Sequence, residues 1–244
     1  MEKLGSRLKL LLLLGFMSIV FISLFFFSKF WNQSLTINAV HVNQTNIIPK
    51  SKYLDRIEKI IANRTKDQID LLEIKKEIKN YSYVKDVKIN YKGKDELNVE
   101  INERSPVGIY KLRSGDLKFF DNEGVLLPFY FKDDFQDFYV VNYLNKNNKK
   151  NRNILKGAGI IIESLKKRDK YFEKLISEIK YNDQKGYVLS GGQNGIKFII
   201  GKLDDANTKF KKAEACLRVI ARSSENVVPD YFDLRWNGQI IFGN

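Results

Sequence analysis

The sequence predicts an α+β protein: a single N-terminal transmembrane helix, a β-α-α-β-β unit, and then a β-rich domain with flanking helices. Three observations predict it. Leu10–Phe27 is an uncharged run of eighteen residues (LLLLLGFMSIVFISLFFF), and nothing like it recurs. As a helix it rises about 1.5 Å per residue and reaches about 27 Å, close to the hydrocarbon thickness of a bilayer. Residues 36–104 switch between period-two and helical apolar spacing in the order β-α-α-β-β. Residues 108–244 carry short alternating runs punctuated by Gly, Asn and Asp, with two helical patterns among them.

Residues 1–9 are predicted to be a cytoplasmic tail and residues 10–28 the transmembrane helix. The rival is a cleaved signal peptide, whose apolar core would be about 7–15 residues long and would end in small residues of the A-x-A type. Here the core is longer and runs into Phe25-Phe26-Phe27-Ser28-Lys29-Phe30-Trp31. Phe30 and Trp31 suit the headgroup belt of an anchored helix. Lys3, Arg7 and Lys9 precede the span and only Glu2 opposes them. Positive-inside bias therefore predicts a single-pass type II protein of the cytoplasmic membrane, with its C-terminal domains extracytoplasmic.

The next unit is assigned to residues 36–105. Ile37 to Val42 alternates as a half-buried strand does, and Pro49 and Ser51 suit a helix start. Leu54, Ile57, Ile60 and Ile61 follow helical spacing. Asp70 reads as the N-cap of a second short helix, with Glu73 placed to complete a capping box and Ile74 and Ile78 on its apolar side. Val87, Ile89 and Tyr91 alternate, Lys92-Gly93-Lys94-Asp95 turns the chain, and Leu97, Val99 and Ile101 alternate back.

Residues 106–244 form the β domain. Leu117–Phe120 and Val125–Leu127 flank an Asp-x-x-Gly turn, and Phe138–Tyr143 is a further strand. Ile154, Leu155, Ala158, Ile161, Ile162 and Leu165 share one helical face. Leu175–Tyr181, Tyr187–Ser190 and Ile196–Ile200 read as a meander, and Phe210, Ala213, Leu217 and Ile220 as another amphipathic helix. The last strands, Tyr231–Trp236 and Gln239–Phe242, are joined at Asn237-Gly238, a pair that favours a two-residue hairpin because both central positions need positive φ.

Composition narrows the function. Hydrophobic content is 43%, enough for folded domains. The single cysteine, Cys216, lies in a helical apolar pattern and reads as a buried small hydrophobe; an exported chain with one Cys has no internal disulfide. Net charge is +13, spread over the tail and both units, and its densest run, Lys146 to Arg152, reads as a solvated loop. No recognition motif interleaves with the cations, so nucleic acid is not an expected partner. The one histidine, His41, sits in a strand without an evident carboxylate or Cys partner, so a Ser-His-Asp site has a single possible base and no elbow motif beside it. No Cys-x-x-Cys or His-x-x-x-His pair offers a metal site. Gly191-Gly192-Gln193-Asn194-Gly195 precedes a strand rather than a helix, so it reads as a hairpin turn and not a phosphate loop. Asp204-Asp205 reads as a helix cap. No catalytic residue, cofactor or metal is predicted.

The β-α-α-β-β order directly after one anchor resembles a POTRA domain, and the finer match is to the bacterial cell-division family FtsQ/DivIB. Val40-His41-Val42 with Asn43, Asp70-Leu71-Leu72, and Tyr83 to Ile89 resemble that family's pattern. So does Val99-Glu100-Ile101-Asn102-Glu103-Arg104-Ser105-Pro106-Val107, which looks like the family's Glu-Arg-x-Pro exit. Asp121-Asn122-Glu123-Gly124 is similar to its Asp-x-x-Gly turn, and Asp233-Leu234-Arg235-Trp236 to its closing Asp-(Leu/Met)-Arg-aromatic strand. The hairpin at Lys92-Gly93-Lys94 departs from the family, which often carries Pro there.

The resemblance implies a non-enzymatic divisome scaffold at the division septum. It would bind the extracytoplasmic ends of FtsB- and FtsL-type proteins by addition of a strand to an exposed edge, with FtsW- and FtsI-type proteins as further partners in the assembly. The matching partner-binding positions are Asp233, Arg235, Trp236, Gln239, Ile240 and Phe242. Trp236 and Phe242 read equally well as plain sheet core, and Arg235 could pair with a partner or with Asp233. The alternative is a POTRA-containing export or outer-membrane assembly factor; those generally repeat the module before a barrel, and one module with no barrel-like strand series is found here.

Overall fold

Apolar spacing becomes packing in two separate units, Met1–Arg104 and Ser105–Asn244. The computed structural model describes residues 2–33, 35–112, 114–129, 138–142, 148–168, 170–192, 195–222 and 229–243. Together they form a mixed α+β protein with one N-terminal apolar helix and a large β-sheet.

Helix α1 runs over Glu2–Gln33, longer at both ends than the predicted 10–28. Its polar flanks contain no Pro, so nothing stops the helix where the apolar run stops. Within it, Leu11–Trp31 has a mean hydropathy of 2.5 and no residue buried by protein. The Ser18 hydroxyl donates to the Leu14 carbonyl at 2.9 Å, so this polar side chain is satisfied by the helix itself.

The rest of the first unit is β1 (Ala39–Val42), α2 (Lys50–Ile61), α3 (Leu71–Lys79), β2 (Val84–Lys92) and β3 (Glu96–Glu103). The sheet order is β1-β3-β2, with β1 parallel and β2 antiparallel to β3. The helices and one sheet face enclose Tyr53, Ile57, Ile74, Ile78, Val87, Leu97 and Val99, all fully buried. Each such side chain stabilises by about 1.5–3 kcal/mol.

Two polar side chains complete this unit. The Glu103 carboxylate accepts the backbone N–H groups of Asn46, Ile47 and Ile48 at 2.7, 2.9 and 3.1 Å and the Tyr53 hydroxyl at 3.0 Å. The glutamate of the Glu-Arg-x-Pro stretch therefore organises the β1–α2 loop. Burial, followed by the charge and hydrogen bond of Glu103, pushes the Tyr53 phenol far above its ordinary pKa. Asn43 pairs its side-chain amide with Ile101 N and O at 2.7 and 2.9 Å, standing in for one more strand residue.

Three local expectations are corrected here. Asp70 caps α3 by accepting the Leu72 N–H at 2.8 Å, but Glu73 does not complete the box; it pairs with Arg64 at 2.7 Å. His41 does have a carboxylate partner, because the parallel neighbour β3 brings Glu96 within 3.2 Å of its Nε2. The basic run is not all loop: α4 begins at Asn148 and takes in its second half, while residues 143–147 lie outside the described residues.

The second unit contains β4 (Gly108–Lys111), β5 (Leu117–Phe120), β6 (Leu126–Leu127), β7 (Val140–Asn142), α4 (Asn148–Leu165), α5 (Lys170–Leu175), β8 (Ile176–Asn182), β9 (Gly186–Gly191), β10 (Ile196–Gly201), α6 (Ala206–Arg222), β11 (Tyr231–Asp233) and β12 (Ile241–Gly243). These twelve elements include β4 and α5, which the sequence analysis does not anticipate; Leu175, expected in a strand, ends α5. One mixed nine-stranded sheet results, in the order β12-β11-β10-β9-β8-β7-β4-β5-β6. The helices are its crossovers: α4 and α5 join the parallel pair β7–β8, and α6 joins the parallel pair β10–β11. Helix faces carrying Leu155, Ile161, Phe172, Phe210 and Ala213 share one buried cluster with sheet residues Val141, Ile179, Leu189 and Phe198. Cys216 is buried there, as its spacing predicts, and burial raises its thiol pKa.

The Asp-x-x-Gly turn is built as its sequence suggests. Asp121 is buried and accepts the N–H groups of Glu123 and Val125 at 3.0 and 2.8 Å. Gly124 has φ +73°, and a Cβ there would lie 2.1 Å from the Arg152 carbonyl oxygen, so the turn lies hard against α4. Asp205 precedes α6 and accepts the Thr208 hydroxyl at 2.8 Å, while Asp204 pairs with the buried Lys209 at 2.7 Å; among the described residues both carboxylates meet side chains of α6 rather than its backbone N–H groups, so the expected cap is corrected.

Candidate functional site: an uncovered sheet edge

The last strand, β12, is one of the two edge strands of the large sheet, with β6 at the opposite edge. β12 pairs antiparallel with β11 through Tyr231↔Gly243, Phe232↔Phe242 and Asp233↔Ile241, and among the described residues its other side has no neighbour in the sheet order. One register row crosses the sheet from Tyr110 through Val141, Ile179, Leu189, Phe198 and Phe232 to Phe242. Every member but the last is buried under the helices; Phe242 is 64% exposed. Its ring stands 6.2 Å from Phe232, which in turn stacks on Phe198 at 5.7 Å. The core face therefore runs off the sheet edge on an aromatic side chain.

The segment between the strands adds to this surface. Trp236 is 53% exposed, and Ile240 and Ile241 are also exposed. The Asn237-Gly238 expectation is corrected: β11 ends at Asp233 and β12 begins at Ile241, so Trp236, Gln239 and Ile240 lie in a longer connection and not on strands. Gly238 has φ +70° but Asn237 does not have positive φ, so no type I′ turn forms. The physical reason is that the chain stays on β10 beyond Asp233, with Leu234 N–H donating to the Ile199 carbonyl at 3.0 Å.

Asp233 and Arg235 settle the choice left open for them. Asp233 is buried, and Arg235 folds back on it with Nη2 to Oδ2 at 2.6 Å, Nε to Oδ1 at 2.9 Å and its own backbone N–H to Oδ1 at 3.1 Å. Burial pushes this carboxyl up, but the guanidinium and backbone N–H of Arg235 outweigh it and hold the carboxyl below the usual aspartate range. The Arg235 stem lies over Gly201, where a Cβ would meet Arg235 Cγ at 2.8 Å. Lys212 of α6 donates to the Trp236 carbonyl at 2.8 Å and ties the connection down.

The predicted residues thus divide. Phe242, Ile240 and Trp236 present apolar surface, Gln239 is exposed beside them, and Asp233 with Arg235 is a brace beneath them. Ile241 and Phe232 belong to the same edge and were not singled out in the sequence; the period-two spacing of Phe232 and Phe242 gives no sign of their register with Phe198. Chemically the edge offers unpaired main-chain donors and acceptors flanked by apolar side chains, suited to accept a strand. Among the described residues, no three His, Cys, Asp or Glu side chains gather as metal ligands. A separate concavity of about 290 Å³, lined by Asn153, Ile154, Tyr181, Tyr187, Lys202 and Leu203, holds no acid–base pair. No protein-family model and no curated protein matches the chain.

Proposed function

We propose that this chain is a membrane-anchored, non-enzymatic scaffold of the bacterial division machinery, of the FtsQ/DivIB kind. On this reading α1 anchors it in the cytoplasmic membrane with the N-terminus inside, and the two units stand outside at the septum. The first unit is a POTRA-like module, a reading supported by its β-α-α-β-β order and β1-β3-β2 sheet. The partner is the extracytoplasmic segment of an FtsB- or FtsL-type protein, taken up as a tenth strand beside β12.

The observation that carries the reading is the register row ending on the uncovered Phe242. An added strand would continue the main-chain ladder and bring an apolar side chain against that ring. An edge left open in this way is otherwise an aggregation hazard. Depletion of the protein in growing cells tests the reading: unseptated filaments are expected, and normal septation at full depletion would overturn it. A photoreactive residue at position 242 should crosslink to a single-span division protein; capture of an outer-membrane or export component instead would favour the export alternative.

A further inference from the structure

The first unit has two ends of different character. β1 and β3 run parallel, so both begin at one end, together with the β2–β3 turn, the C-terminus of α2 and the N-terminus of α3. The chain exits at the opposite end, where Glu103 holds the β1–α2 loop. The entry end is also the end nearest α1. Leu35 accepts the Lys66 N–H at 2.8 Å, Thr36 bridges to Thr65, and Asn38 bonds Asp95 through both main chain and side chain at 2.8 Å. Leu35 is four residues past Trp31, so it lies within about 14 Å of the last residue of the apolar window. Phe25, Phe27, Ser28, Lys29 and Trp31 of α1 line an open cleft with Gly93 and Lys94 of the β2–β3 turn.

The carboxylates at this end are engaged within the fold: Asp67 by the Thr65 hydroxyl, Asp70 by the Leu72 N–H, Glu73 by Arg64, Asp95 by Asn38 and Glu96 by His41 and Lys92. Lys66 and Lys94 have no carboxylate partner among the described residues. The Lys66 ammonium is held in place instead, donating to the Lys94 carbonyl at 2.9 Å and lying 4.4 Å from the Tyr91 ring centroid. Beside them, Leu72 in the first turn of α3 is 72% exposed, the largest exposure of an apolar side chain in this unit outside α1. One ordered cation, Lys66, a second lysine, Lys94, and a bare leucine thus lie at the one end that the linker keeps near the bilayer surface.

We propose that this end is a membrane-docking surface for anionic phospholipid: the phosphates of the leaflet beside it engage Lys66 and Lys94, and Leu72 enters the acyl boundary. This rests on the reading of α1 as a retained anchor. Docking fixes the first unit upright, with its exit some 25 Å out, since eight strand residues of β3 at about 3.3 Å each separate the two ends. Near an anionic surface each lysine contributes roughly fivefold to the docking equilibrium, and the effect decays within a Debye length of about 8 Å at physiological salt.

The test is amide hydrogen exchange of the full chain in nanodiscs of phosphatidylcholine alone and of equal parts phosphatidylcholine and phosphatidylglycerol. Residues 62–72 and 92–95 are expected to exchange about tenfold or more slowly in the anionic discs, and high salt should remove the difference. The pair Lys66→Gln and Lys94→Gln should remove it at low salt too, and Leu72→Ser should weaken it. Equal exchange in both lipids, or a difference that survives the Gln pair, overturns the proposal. The salt titration of the unaltered chain decides the matter even if the Gln pair folds poorly. Coelution of intact chain with the discs after an alkaline wash reports the anchor separately: its failure refutes the anchor, whereas coelution with lipid-independent exchange refutes only docking.

Discussion

Truncating Phe242 should weaken strand capture far more than it weakens the fold. A phenylalanine side chain carries about 200 Å² of accessible surface, and with 64% exposed roughly 130 Å² is left for a partner to cover. At about 25 cal/mol per Å² that is about 3 kcal/mol, of which the Cβ retained in Phe242→Ala keeps a small part. A loss of about 2–3 kcal/mol raises Kd roughly 30- to 150-fold. Phe242→Glu should do more, since it places a carboxylate where an apolar contact is expected. Fold stability should change by less than about 1 kcal/mol, because the ring is mostly in solvent and touches chiefly Phe232. The assay is fluorescence anisotropy of a labelled extracytoplasmic segment of an FtsB-type protein against the detergent-solubilised chain, with urea denaturation in parallel. If both variants bind within twofold of the unaltered chain, the edge at β12 is not the docking surface, and the reasoning from the register row fails.

Other perturbations probe the supports of the two units. Glu103→Ala removes the acceptor for three backbone N–H groups and the buried Tyr53 hydroxyl, so a loss of about 3 kcal/mol in urea denaturation is expected, with Glu103→Gln milder; a loss under about 1 kcal/mol would deny the carboxylate its organising role. Gly124→Ala meets both a positive φ and the Arg152 carbonyl and should cost at least about 2 kcal/mol, read as a fall in Tm. Asp233 has a lowered folded-state pKa, so its contribution is present above the unfolded aspartate value of about 4 and is lost as pH falls below it. Protection from hydrogen exchange at β11 and β12, taken relative to the intrinsic rate at each pH, should therefore fall below about pH 4, and Arg235→Ala should move that onset upward because burial then acts on Asp233 without its guanidinium; an onset unmoved by the variant would mean that the pair does not brace the edge.

What the sequence determined by itself is what depends on near neighbours along the chain. The apolar run of α1, the helical faces of α2, α3, α4 and α6, the Asp70 cap, the Asp121–Gly124 turn and the β8–β9–β10 meander are all set by spacing within a dozen residues. Local preference also misled. Asn237-Gly238 favours a tight hairpin, yet Leu234 bonds Ile199 and Arg235 folds back on Asp233, and these contacts engage the chain before it reaches Asn237, so the pairing with β12 stops at Asp233. His41 looked partnerless because Glu96 is far away in sequence and adjacent only in the parallel sheet. A strand as short as β4 carries too few residues for a period to stand out, and it exists because β5 and the parallel β7 pair with it. Most of all, the tertiary structure decided which strand is outermost. Exposure of Phe242 is a property of sheet order and register, fixed by pairings between distant segments, and an alternating pattern of side chains is the same for a strand inside a sheet and for one at its edge.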